Sequence, residues 1–155
     1  MELEKAKEIA KEYINRNQSQ YLQMEVVGSI RRVKPEVRDI DIVAIPKFSQ
    51  DKKILRFDYK GIQIDIYFAT KDNYECLRLI RTGSAEHNRM LCSLALRKGW
   101  KLKASGEGLF AKTETIHTEE GILKALLGKY IEPKDREDKK PDFSRNVKYA
   151  NKPGF

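Results

Sequence analysis

The chain has 155 residues, 40% of them hydrophobic, and its 31 Lys and Arg against 23 Asp and Glu give a formal net charge of +8; this length suits one domain, or a domain with a small appended lobe, with a core of its own. The composition excludes a disordered chain, no apolar run approaches the roughly 20 residues of a bilayer span, and the amino terminus lacks the layout of a signal peptide. An intracellular protein (cytoplasm, nucleoid, nucleus or virion) with a polyanionic partner and no membrane contact is therefore expected.

In chain order, Leu3, Ala6, Ile9, Ala10, Tyr13 and Ile14 recur at helical spacing, which predicts an amphipathic opening helix. Met24 to Val27 reads as a short strand that stops at Gly28, with Ser29 where a helix can begin. Residues 40–45, 54–59 and 62–68 read as strands, the last two joined through Lys60-Gly61 as a hairpin. A sheet of about four or five strands follows. In the first of these three, both faces are apolar, so it belongs in the middle of the sheet, and Asp39 and Asp41, two apart, point to one face. Helices are expected over 74–80 and 85–98, the second stopped by Gly99, then a small β pair from 100–102 and 108–111, and a last helix capped by Thr118. Cys76 and Cys92 form no CxxC pair and lie beside no histidine cluster, so they are expected to be buried thiols rather than ligands or a disulfide. Trp100 and Phe110 are expected to fill the core of the second lobe, and His87 to be a partly exposed helical residue. The polar segment from Glu137 to Phe155 reads as a flexible basic tail, and the fold class is α+β with a boundary near Lys71.

Three acids stand inside strand-like apolar runs: Asp39, Asp41 and Asp65. Carboxylates are rarely buried without compensation, and the compensation expected at three convergent acids is bound metal. Two divalent ions held together neutralise the phosphates and activate the attacking hydroxyl in nucleotidyl transfer. Asp39 and Asp41 can bridge two Mg2+ ions, for which Mn2+ can substitute, while Asp65 holds one of them and sits where a general base belongs. The Gly28-Ser29 turn supplies backbone N–H groups and a hydroxyl as a seat for phosphates, and Arg31 and Arg32 follow to neutralise a triphosphate.

Gly28-Ser29-x-Arg31-Arg32, Asp39-x-Asp41 and Asp65 resemble the palm motifs of the family X DNA polymerases. Thr82-Gly83-Ser84-Ala85-Glu86-His87-Asn88, with Leu94 to Gly99, Gly108-Leu109-Phe110 and Tyr130 to Arg136, resembles the thumb of the same family. The resemblance implies a nucleotidyltransferase palm over residues 1–71 and a thumb over 72–136, with residues 137–155 as the tail. It also implies that Gly28, Ser29 and Arg32 hold the incoming triphosphate, that Gly83 and Ser84 lie near its sugar, and that Asn88 reaches the minor-groove edge of its base. Arg89, near the templating base, with Arg81 and Lys98, would contact DNA. Ile80-Arg81 stands where vertebrate members carry an aromatic pair that helps exclude ribose, and Cys92 replaces an arginine that contacts the template; weak ribose exclusion is expected. The chain opens almost at the palm, without the lyase domain, helix-hairpin-helix elements or fingers lobe, so the grip on DNA is expected to come from palm, thumb and tail. The expected activity is templated, metal-dependent addition of a dNTP to a 3′-hydroxyl in short gaps during DNA repair, by a monomer on gapped or primer-template DNA. The alternatives are a template-independent nucleotidyltransferase acting on a nucleic-acid end or small molecule, and a silent DNA-binding module.

Overall fold

The computed structural model describes residues 1–136, so the expectation of a flexible tail lies outside the described residues. Helix α1 (Leu3–Asn17) leads into strand β1 (Tyr21–Val26) and a single helical turn, α2 (Gly28–Arg31), followed by β2 (Asp39–Pro46), β3 (Ile54–Tyr59) and β4 (Ile62–Phe68). These strands form one sheet in the order β1-β2-β4-β3. The central pair β2/β4 is parallel and its neighbours run antiparallel to it. The side-chain alternation of the pleat sorts the core. Ile40, Ile42, Ile64 and Ile66 pack beneath α1 against Ala6, Ile9 and Tyr13. Val43, Ile45 and Tyr67 occupy the opposite face with Tyr74 and Leu77. Asp41 precedes Val43 by two residues and shares that second face.

The hairpin is closed by Lys60 at φ 49° and Gly61 at φ 86°, the two positive values that a two-residue type I′ turn needs. Its register pairs Tyr59 with Ile62 and, three residues on, Arg56 with Asp65.

The second lobe begins with α3 (Tyr74–Thr82) and α4 (Ala85–Arg97), continues through β5 (Lys101–Lys103), β6 (Gly108–Phe110) and β7 (Thr115–Ile116), and ends with α5 (Glu119–Leu127). Its core is Cys76, Leu79, Leu91, Leu94, Leu109, Ile122, Leu123 and Leu126, among others. Helix α3 serves both lobes, giving Tyr74 and Leu77 to the sheet and Cys76, Leu79 and Ile80 to the second core.

Several expectations are corrected. The first strand starts at Tyr21 rather than Met24, and the small β pair is a three-stranded sheet. Phe110 is 37% exposed because the alternation of β6 turns Leu109 inward and Phe110 out. His87 is buried, since α4 sets it into the joint between the lobes. Trp100 packs at the margin of the second core, and Cys92 is only half-buried.

Candidate active site

The site begins where β1 runs into α2. The Val27 N–H donates to the Asp41 carbonyl oxygen at 2.8 Å, and Gly28 follows with φ +63°. A Cβ on Gly28 would lie 2.3 Å from Asp41 Oδ2, so the close approach requires glycine. Ser29, Arg32, Asp39 and Asp41 then line one open cavity of about 530 Å³ together with Lys34 and Arg38. Those two cations were not singled out in the sequence, although both lie between the glycine turn and the first acid.

Across the central strand pair Asp41 stands directly opposite Asp65, and Asp39 opposite Gln63. Asp65 is buried and accepts from Arg56 Nε at 2.8 Å, Arg56 Nη2 at 3.4 Å and Gln63 Nε2 at 3.1 Å. Burial pushes the Asp41 carboxyl up to about 7; the charges of Asp65 and Asp39 push in the same direction, and Arg81 and Arg32 oppose them. Among the described residues, no three His, Cys, Asp or Glu side chains stand together so as to hold a metal ion as they are placed. At Asp65 both carboxylate oxygens are engaged by Arg56. The burial of Asp41 beside the charges of Asp65 and Asp39 and the all-carboxylate donor set nevertheless suit a hard divalent cation such as Mg2+ or Mn2+.

The residues assigned to the nucleotide fall into two groups. Arg32 Nη1 donates to the Thr82 carbonyl oxygen at 2.5 Å, and a Cβ on Gly83 would come within 2.9 Å of the same nitrogen; Arg32 therefore reaches from the cavity it shares with Ser29 to Gly83. The Gly83-Ser84 peptide bond is cis. Ser84 and Asn88 have structural work: Ser84 Oγ caps α4 by accepting the His87 N–H at 3.2 Å, and Asn88 Nδ2 donates to the Ile80 carbonyl oxygen at 2.8 Å. Arg31 is not at the cavity. It donates to Glu119 through both terminal nitrogens, at 2.7 and 2.8 Å, and to Thr82 Oγ1 at 2.8 Å.

Of the residues assigned to DNA, Arg81 lies with its guanidinium 4.1 Å from the centre of the Tyr67 ring. Arg89 pairs with Glu86 on the surface of α4, and Lys98 lies over the Trp100 ring at 4.9 Å.

Sequence reasoning missed the ionic joint between the lobes. Glu119 at the start of α5 is 2% exposed and holds Arg31, Arg78 at 3.3 Å and the fully buried Arg136 at 2.9 Å. Burial pushes its carboxyl up, but the hydrogen bond from Arg31 and the charges of Arg136 and Arg31 outweigh that and hold it below its usual range. His87 lies close by. Burial, then the charges of Arg136 and Arg32, push its imidazole down to about 4.

No helix among the described residues is long and apolar enough to cross a membrane. Residues 77–137 match the family model described as the DNA polymerase beta thumb, so the chain from Leu77 in α3 through α5 to Arg136 is similar to the thumb of a family X DNA polymerase.

Proposed function

We propose that the protein is a metal-dependent DNA polymerase that adds nucleotides to a 3′-hydroxyl in short gaps, with residues 1–71 as its palm and 72–136 as its thumb. The observation that carries this reading is the register of β2 and β4, in which Asp41 faces Asp65 beside the Ser29 and Arg32 cavity, in a chain whose residues 77–137 match a polymerase thumb. Asp39, Asp41 and Asp65 would hold two Mg2+ or Mn2+ ions, which supply charge for the phosphates and acidify the attacking hydroxyl.

The chain's own residues do the rest. Ser29 and Arg32 bind the triphosphate, Arg32 steadied by the Thr82 carbonyl oxygen. Gly83, without a side chain and packed against Arg32, lies against the sugar, and Asn88 marks the base edge. Asp65 gives up Arg56 and accepts the proton of the primer hydroxyl. Sugar selection is weak, because Arg81 lies on Tyr67 and no aromatic side chain at residues 80 or 81 closes on the ribose.

Primer extension on gapped DNA tests the reading. Wild type extends with Mg2+, whereas Asp41→Ala and Asp65→Ala give no product above background; undiminished extension by either variant refutes the mechanism. A strong preference for dNTPs over rNTPs in the same assay refutes weak sugar selection alone.

A further inference from the structure

A second cavity, of about 550 Å³, opens on the acid-bearing face of the sheet, between the β2–β3 loop and the second lobe. Five cations line it, Lys47, Lys52, Lys53, Lys71 and Arg81, against one carboxylate, Glu107. None of the four lysines makes an ion pair with a described residue. One end of the groove is Tyr67, which shares a strand face with Asp65, two residues away. Arg81 covers the Tyr67 ring, acts on the charge of Asp41 and keeps a buried Nε–H that no described residue accepts. None of the three acids lines the groove, but its Tyr67 and Arg81 end lies on their face of the sheet.

The loop that forms its outer wall is anchored at both ends. The Lys47 N–H donates to the Gln20 carbonyl oxygen at 3.1 Å, and the Lys53 carbonyl oxygen accepts the Phe68 N–H at 2.9 Å. Between these anchors Phe48, on the loop but outside the lining of the cavity, is 80% exposed, the highest value among the exposed large apolar side chains of the described residues. An aromatic ring held in water amid lysines loses free energy unless something stacks on it. Bases do so regardless of sequence, and away from the ends of a duplex an unpaired base alone offers its face.

We propose that this groove binds the single-stranded segment of a DNA substrate, with Lys47, Lys52, Lys53 and Lys71 on its phosphates and Phe48 stacked on one of its bases. The assignment rests on the reading of the chain as acting on DNA, and extends it to the part of the substrate beyond the acids.

Fluorescence anisotropy in EDTA, over about 50 to 200 mM salt, measures binding to a duplex with an unpaired template overhang and to the same duplex blunt-ended. Replacing Lys47, Lys52 and Lys53 together by Gln lowers the salt slope on the overhang by about 2, at about 0.7 per phosphate contact on single strands. Phe48→Ala weakens overhang binding about tenfold, leaving the slope and the blunt duplex unchanged. Glu107→Lys tightens binding and steepens the slope. An unchanged slope in the triple variant, equal losses on both DNAs in Phe48→Ala, or poly-glutamate competing as well as single-stranded DNA would each overturn the proposal, the last in favour of an acidic protein partner. Primer extension separates this proposal from the polymerase reading. A wild type that binds through the loop but extends nothing sinks the polymerase reading alone, and a triple variant that binds and extends like wild type sinks the groove alone.

Discussion

Gly28 and Gly61 both have positive φ, yet substitution at the two should differ sharply. At Gly61 nothing lies within 4 Å of a built Cβ, so Gly61→Ala costs about 1 kcal/mol, the backbone term alone. At Gly28 the new methyl also meets Asp41 Oδ2 at 2.3 Å, and overpacking adds about 1–3 kcal/mol. Urea unfolding should rank Gly28→Ala well below Gly61→Ala in stability, and only Gly28→Ala should lose primer extension; equal costs would mean that Asp41 can step aside. His87 gives a pH signature of its own. Its folded pKa of about 4 lies below its ordinary value of 6.5, so the unfolded chain binds the extra proton first. The stability that depends on a neutral ring is complete above that ordinary value and drains away as the pH falls toward the folded one. Between about pH 7 and about pH 4.5 this amounts to about 2 kcal/mol. Urea unfolding at both pH values should show that pH sensitivity shrinking by this amount in His87→Phe, and an unchanged sensitivity would place the acid-labile group elsewhere.

At the scale of elements, α2 is held by a strained residue. Val33, just past the helix, has φ 59° although β-branched and is 53% exposed, a conformation that costs of order 1–3 kcal/mol. Its N–H donates to the Ile30 carbonyl oxygen while the Lys34 N–H reaches Ser29, so the turn seals the Ser29 segment. Val33→Gly should raise stability by about 1 kcal/mol in urea unfolding, and a destabilised variant would show that the side chain contributes packing worth more than the strain. The hairpin illustrates how much was legible in the sequence. Once Lys60-Gly61 is read as a two-residue turn, counting back pairs Arg56 with Asp65, so the arginine that neutralises the third acid could have been found without a structure. The parallel alignment of Asp41 with Asp65 could not, because β2 and β4 meet only after β3 has been placed outside them, and no local signal encodes that crossover. Strand β7 has two residues, too few to carry a period. His87 is buried near residues distant in sequence, Arg32 and Arg136 among them, which no periodicity along α4 reports.

In the whole molecule, two cores lie on either side of α3, and beside that helix the lobes are joined by the charges around Glu119. Apolar sharing through Tyr74, Leu77, Leu79 and Ile80 couples the lobes without direction, whereas Glu119 fixes α5 against α2 and against Arg136. Removing this carboxylate affects its three arginines unequally. Arg31 and Arg78 keep Glu25, at 3.9 and 3.2 Å. Arg136, at 0% exposure, keeps the Ile131 carbonyl oxygen and the Tyr130 ring but no carboxylate among the described residues, and a buried charge left in that condition costs about 3–5 kcal/mol. Glu119→Ala should therefore lose about that much stability, and the loss should fall on the joint rather than on either core. Calorimetry should record one two-state transition for wild type and two for Glu119→Ala, with the calorimetric enthalpy exceeding the van't Hoff value. Adding Arg136→Met removes the stranded charge, so the double variant should regain part of the stability without restoring the single transition. If Glu119→Ala still melts in one two-state step, the apolar faces of α3 are sufficient to make the lobes cooperative, and the charges at the joint set only their orientation.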